Sequence, residues 1–160
     1  MAWMVFIPCP GLDTVYFVLK EDTMEELYAK IAADFAKQGL MQTLGARLDK
    51  VVPGEAHISC AYHDGLGQQH GYFHAGVITS LVDSACGYAA HSLMPEGKDV
   101  LSVEFKLNLL KPANTPTLTA IGKVVQSGRT LTVCEGNVYD ASGERLIARM
   151  TATMIAVDKR

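Results

Sequence analysis

Residues 65–95 read GLGQQHGYFHAGVITSLVDSACGYAAHSLMP. The segment opens polar and glycine-rich, becomes apolar after Phe73, and stops at Met94-Pro95. From His74 to about Leu93 it is too long for a strand, so it predicts one long helix. Its one formal charge is Asp83. On that helical face stand Gly76, Thr79, Ser80, Cys86, Gly87 and Ala90, all small. The bulkier Val77, Ile78, Leu81, Val82 and Tyr88 fall mostly elsewhere. A small-residue stripe lets another backbone or a thin ligand come close. Gly87 costs a helix about 1 kcal/mol relative to Ala, which points to a close packing contact there.

Downstream the pattern changes to period two. Val103, Phe105, Leu107 and Leu109 alternate with Ser102, Glu104, Lys106 and Asn108. TLTAIGKVVQSG, TLTVCEGNVYD and RLIARMTATMIAV follow, broken by Pro112 to Pro116, by Ser127-Gly128-Arg129 and by Ala141-Ser142-Gly143. These read as four strands with short, antiparallel connections, each covering a core on one face. Upstream, LGARLDKVV and EAHISCAYH flank Pro53-Gly54 and read as a hairpin. Thr23-Met24-Glu25-Glu26 has the form of a capping box with Thr23 as N-cap. Met24, Leu27, Ile31 and Phe35 continue at helical spacing, and Gly39 can end that helix, which predicts residues 24–38. Helix, two strands, long helix, four strands is an α+β order, with a helix packed on an antiparallel sheet.

The chain has 160 residues, 49% of them hydrophobic, and a net charge of -3. That size predicts a single domain, residues 23–160. Charge gives no basic footprint for nucleic acid, and no apolar run reaches the ~20 residues that span a membrane. Cys9, Cys60, Cys86 and Cys134 are far apart with no CxxC pair, so neither a disulfide framework nor a zinc site is expected, and a reducing cytoplasm fits. Residues 1–22 lack the basic start of a signal peptide and are broken by Pro8, Pro10 and Gly11. They are expected to be a loosely held extension, or to precede a native start at Met24.

Two readings of Asp83 compete. In one it faces solvent or bonds Thr79 or Ser80. In the other it is an acid or base in a low-dielectric cleft. The helix start favours the second. Its first N–H groups lack internal partners and sit at the positive end of the dipole. Ala75 and Gly76 leave them accessible, and His74 shapes the entry. That arrangement suits an oxyanion, two turns before a carboxylate, and hence hydrolysis of an activated acyl group. His70 and His74 have H-x3-H spacing, but Gly71 and the loop spoil a helical metal pair, and no metal is expected. Cys86 has no neighbouring base and reads as a small buried residue. No GxSxG is present.

QQHGYFHAGVITSLVDSACGYAA, VLSVEFKLNLLKPA, QSGRTLTVCEGNVYD and ERLIARMTATM follow in that order. Together they resemble the hotdog-fold acyl-CoA thioesterases, most of all the phenylacetate-degradation type. The resemblance covers residues 45–157. It implies an antiparallel sheet wrapped around one long central helix, working as a homodimer or homotetramer with the site between subunits. It implies an acyl-CoA substrate and no cofactor beyond it. On that resemblance Ala75, where the family usually has Gly, carries the N–H that binds the thioester oxygen, with Gly76 as the second donor. The resemblance makes Asp83 the general base or nucleophile, supplied to the partner's site. Gln68 stands where a loop amide, usually Asn, orients water or thioester, and Ser102 supports the acid. The turn holding Ser127, Gly128, Arg129 and Thr130 matches the region that meets the CoA nucleotide. The forked guanidinium of Arg129 suits its phosphates, and Lys111 adds charge. The other class of function open to such a fold is an acyl-CoA sensor that binds without hydrolysing. A hydratase would need a His paired with the acid, and His91 lies more than two turns beyond Asp83.

Overall fold

The computed structural model describes residues 21–159, with side chains from Thr23 onward. Helix α1 spans Glu21–Phe35 and α2 spans Gly39–Leu44. Strands β1 (Ala46–Val52) and β2 (Glu55–Ala61) follow, then a 3-10 turn at Asp64–Leu66 and helix α3, Ala75–His91. Strands β3 (Lys98–Leu109), β4 (Thr117–Ser127), β5 (Leu131–Tyr139) and β6 (Leu146–Asp158) complete the chain. The expectation for residues 1–22 lies outside the described residues, except for the helical backbone of Glu21 and Asp22.

The first helix departs from its sequence reading at both ends. It is helical from Glu21, the first described residue, so Thr23 already lies within it. Neither Glu21 nor Asp22 is a helix breaker, and the capping-box pattern alone cannot exclude an earlier start. It ends at Phe35, before residue 38, and Gly39 opens α2 where it was expected to end α1. Gln38 between them is extended, with φ -75° and ψ 101°. The helix terminator is Gly45, at φ 63°, the left-handed position that favours glycine.

The hairpin forms as read. Val52 pairs with Glu55 across Pro53-Gly54, with Gly54 at φ 77° as the second turn residue requires. All six strands form one sheet in the order β1-β2-β4-β5-β6-β3, each pair antiparallel. Helix α3 lies along its inner face. Leu81, Val82, Ala85, Cys86 and Ala89 are buried there with Ile58, Leu118, Ala120, Cys134, Met150 and Met154. This is the α+β hotdog architecture, a sheet curled around one central helix.

The tight helix contact is made from the sheet side. A Cβ on Gly122 of β4 would stand 2.3 Å from the backbone C and O of Ala85. One on Gly136 of β5 would stand 2.3 Å from Cγ2 of Val82. Gly87 was expected to make such a contact and does not: its Cβ would meet only Cγ1 of Val100, at 3.9 Å. It borders open space instead.

Strand β3 also departs from expectation: Val100 and Leu107 pack against the core, but most of its apolar side chains lie open. It is an edge strand, hydrogen-bonded to β6 alone. Leu101, Val103, Phe105 and Leu109 are each about half exposed. A register shift between Ser102 and Glu104 breaks its alternation. Ser102 therefore pairs with buried Met154, and Phe105 with buried Ala152, so both share the inner face. A bulge of this kind re-aims a side chain, and here it turns Ser102 toward α3.

Candidate active site

Helix α3 is entered through His74, which is extended at φ -64° and ψ 142°. Its Nδ1 accepts the N–H of Gly76 at 2.9 Å. The His74 carbonyl accepts from Val77 and Ile78 at 3.0 and 3.4 Å. Among the described residues no group accepts from the Ala75 N–H. Of the two donors read from sequence, Gly76 is thus committed to the cap, and Ala75 is open.

Asp83 is half-buried on the same helix. Ser102 Oγ donates to its Oδ1 at 2.8 Å. Thr79 and Ser80 do not bond it; their hydroxyls donate to the carbonyls of Ala75 and Gly76, each at 2.8 Å. Burial raises the Asp83 carboxyl above its ordinary value of 3.8, and the Ser102 hydroxyl pulls it partly back. A carboxylate held this way is a stronger base than one in water.

Asp83 borders a cleft of about 270 Å³ between α3, β3 and the α1–α2 corner. Ser80, Ser84, Gly87 and Tyr88 of α3 line it with Val100, Ser102 and Asp99, and Asp34, Gln38 and Leu40 close the far wall. The small stripe therefore divides. Ser80 and Gly87 open the cleft, while Cys86 and Ala90 pack into the core. Gln38 Nε2 donates to the Tyr88 hydroxyl at 2.8 Å, which holds the wall together. Sequence reading missed Asp34, Gln38, Tyr88 and Asp99. Only the small residue at position 87 hinted at the space they enclose.

The remaining candidates lie farther apart. Gln68 accepts the His70 N–H on its side-chain oxygen. The turn at Ser127, Gly128, Arg129 and Thr130 is exposed, closed by Gly128 N–H donating to the Leu131 carbonyl at 2.8 Å. Ser127 pairs with Thr132, Thr132 with Met154, and Met154 with Ser102. Three strand spacings put this turn roughly 14 Å from Ser102. Lys111, whose N–H donates to Ile147 O at 3.2 Å, sits at the opposite end of the sheet. One chain does not bring it to Arg129. His70 is exposed in the loop, apart from the His74 cap. Cys86 is buried and its thiol is pushed far up by burial, with Cys134 and Asp83 adding. It is no thiolate nucleophile.

Comparison with known proteins fits this arrangement. The thioesterase superfamily model matches residues 70–147, which run from His70 through α3 and β3–β5 into β6. A thioesterase family protein of Silicibacter pomeroyi is 47% identical, with a TM-score of 0.80, over 83% of this chain and 99% of that one. The chain belongs to the thioesterase superfamily. This thioesterase also shares its fold with the PaaI protein of the E. coli phenylacetic acid degradation operon. There the TM-score is 0.76 at 19% identity, over 84% of this chain and 95% of that one. The 1,4-dihydroxy-2-naphthoyl-CoA hydrolase of Listeria monocytogenes is 25% identical over 76% of this chain and 98% of its own.

Proposed function

We propose that this thioesterase hydrolyses acyl-CoA: acyl-S-CoA and water give a carboxylic acid and CoA. The observation that carries the reading is the Asp83 carboxylate, half-buried at the mouth of a cleft with Ser102 as its hydrogen-bond partner. Asp83 takes a proton from water, or attacks the acyl carbon itself. The Ala75 N–H receives the developing oxyanion. One such donor is typically worth about 10² to 10³ in rate. Ser102 positions the acid, His74 fixes the helix start, and the side-chain amide of Gln68 orients water or thioester. The relative that hydrolyses a naphthoyl-CoA supports CoA as the carrier.

The site needs two chains. Ala75 and Asp83 lie eight positions apart on one helix, roughly 12 Å along its axis at 1.5 Å per residue. A single thioester carbonyl cannot contact both. The open edge and exposed apolar side chains of β3 support antiparallel pairing with a second copy. Such a pairing reverses one helix against the other and brings the Ala75 of one subunit toward the Asp83 of its partner. It also moves the Lys111 end of one sheet beside the Arg129 end of the other, where both can hold CoA phosphates. The assembly is then a homodimer, or a homotetramer built from it. Cys60, Cys86 and Cys134 are free and buried, which fits the cytoplasm, where CoA thioesters are used. Among the described residues, no helix is long and apolar enough to cross a membrane.

The test is thiol release from aliphatic and aromatic acyl-CoAs by wild type and Asp83→Asn. Turnover should fall at least about 10²-fold in the variant. In wild type, kcat/KM should rise with pH through an ionisation above 3.8, because burial favours the protonated acid. The same shift means that ionised Asp83 costs stability above that ionisation, and the cost vanishes below 3.8. Asp83→Asn should therefore unfold at no lower temperature than wild type at neutral pH. Equal turnover in the two proteins would remove Asp83 from the mechanism. Tight CoA binding without turnover in either would replace hydrolysis with a binding role.

A further inference from the structure

Gly87 stands inside α3 without a packing reason to be glycine. A Cβ there would meet only Cγ1 of Val100, at 3.9 Å, which is ordinary contact that alanine could make. Glycine weakens a helix interior, because it has more backbone freedom to lose. Its neighbours Cys86 and Tyr88 are buried, while Gly87 itself borders the cleft. What the missing side chain provides is therefore room in the cleft. That room begins one turn beyond Asp83 on the same helix face, roughly 6 Å along the axis at 1.5 Å per residue.

The contacts of β3 fix the direction in which the cleft runs. Ser102 bonds Asp83, Val100 faces Gly87, and Oδ1 of Asp99 is 3.9 Å from Nε2 of His91, the last residue of α3. Strand and helix thus pass each other in opposite senses, with the cleft leading from Asp83 past Gly87 toward Asp99. Gln38 walls the other side. Its Nε2 donates to the Tyr88 hydroxyl at 2.8 Å, and Ser84 Oγ donates to its Oε1 at 3.5 Å. Gln38 is so braced along the Ser84 and Tyr88 row, and Gly87 forms the floor between that row and β3. Beyond Gly87 the lining turns to the carboxylates of Asp34 and Asp99. The volume of about 270 Å³ lies below the roughly 300–1,000 Å³ that drug-sized ligands occupy.

We propose that Gly87 is a specificity-determining residue, which admits a short acyl group of the hexanoyl or benzoyl class past Asp83. The inference rests on the acyl-CoA reading above. With the thioester carbonyl at Asp83, the acyl group lies over Gly87 between Gln38 and Val100. An acetyl group ends before it reaches that level. A long alkyl chain runs on to Asp34 and Asp99, and covering those carboxylates with hydrocarbon is unfavourable. A side chain at position 87 would take the volume that the acyl group needs. Gly87 touches no reacting atom. It acts on the difference between substrates, which is where a pocket wall exerts its effect.

The experiment measures kcat/KM for acetyl-CoA, hexanoyl-CoA, benzoyl-CoA and dodecanoyl-CoA with the full chain as wild type, Gly87→Ala and Gly87→Leu. Wild type should prefer hexanoyl-CoA and benzoyl-CoA to dodecanoyl-CoA. The ratio of hexanoyl to acetyl turnover should fall by about 10-fold or more in Gly87→Leu, and by less in Gly87→Ala, since one methylene too many in a pocket already costs about 10-fold. The Gly87→Ala/Val100→Ala double variant reopens the space from the facing strand and should return the ratio toward wild type. A merely structural effect of residue 87 gives no such recovery. An unchanged ratio in Gly87→Leu, or a wild type that prefers dodecanoyl-CoA, would overturn the proposal and leave hydrolysis standing. If none of the proteins releases thiol, the hydrolysis reading fails separately, and calorimetry decides on the pocket. Tighter binding of hexanoyl-CoA than of CoA in wild type, lost in Gly87→Leu, supports it. Equal affinity of the two proteins for hexanoyl-CoA overturns it.

Discussion

Ala75 offers a way to delete one backbone donor without touching a side chain that folds the protein. It is the first residue of α3, where an N–H has no helical partner and where proline is well tolerated. His74 before it is already extended, as a residue preceding proline must be. Ala75→Pro should therefore leave the helix and the unfolding temperature close to wild type. It should lower kcat by about 10² to 10³, the usual worth of one oxyanion donor. Circular dichroism checks the first expectation, and steady-state thiol release the second. A fall in stability with unchanged kcat would place the oxyanion elsewhere. At this scale part of the candidate site was legible in the sequence. A lone acid among small residues, and a helix start without bulk, are local patterns. The commitment of Gly76 to the His74 ring was not legible, because it depends on a side-chain rotamer. Nor were Gln38, Tyr88, Asp34 and Asp99, which reach the cleft from segments separated by whole elements.

The elements α3, β4 and β5 are held by glycines whose roles the sequence did not separate. Gly87 sits in the helix and looked like the contact point, yet Gly122 and Gly136 in the sheet are where the backbone comes close. Periodicity identifies faces, not the distance between them. The same limit hid α2, since a glycine that can stop one helix can as well start another. It hid the bulge in β3 as well: strict alternation puts Ser102 opposite Phe105, and only the register shift puts them together. The strands, the hairpin and the long helix were legible because each rests on a local period or a Pro-Gly turn. The two kinds of glycine predict opposite outcomes. Gly122→Ala pushes a methyl into the backbone of Ala85 and Cys86, at 2.3–2.5 Å, and that backbone cannot yield. It should cost about 3 kcal/mol or more, at the upper end of overpacking. Gly87→Ala meets only ordinary contact and should add up to about 1 kcal/mol from helix propensity, while narrowing the cleft. Urea unfolding of both variants checks the pair. A Gly122→Ala protein as stable as wild type would contradict the close approach of helix and sheet.

At the scale of the whole molecule, everything turns on whether one chain or two make the site. Along one helix the two groups are too far apart for a single carbonyl, and the edge of β3 is open to a second copy. If the proposed dimer is right, each site takes Ala75 from one subunit and Asp83 from the other. Ala75→Pro and Asp83→Asn homodimers are then each defective at both sites. In a mixed dimer the two lesions fall together on one site and leave the other intact. Co-expression at equal levels gives about half mixed dimers, so about a quarter of wild-type activity should return from two impaired parents. Thiol release from the co-expressed protein, compared with a simple mixture of the separately purified variants, measures it. A site contained within one chain gives no such recovery, because every site then carries one lesion or the other. Recovery near a quarter would place the chemistry at the subunit interface without any structure of the complex. Activity no higher than the average of the two parents would mean that Ala75 and Asp83 do not act across a shared site, and the donor for the Asp83 cleft would have to be sought on its own chain.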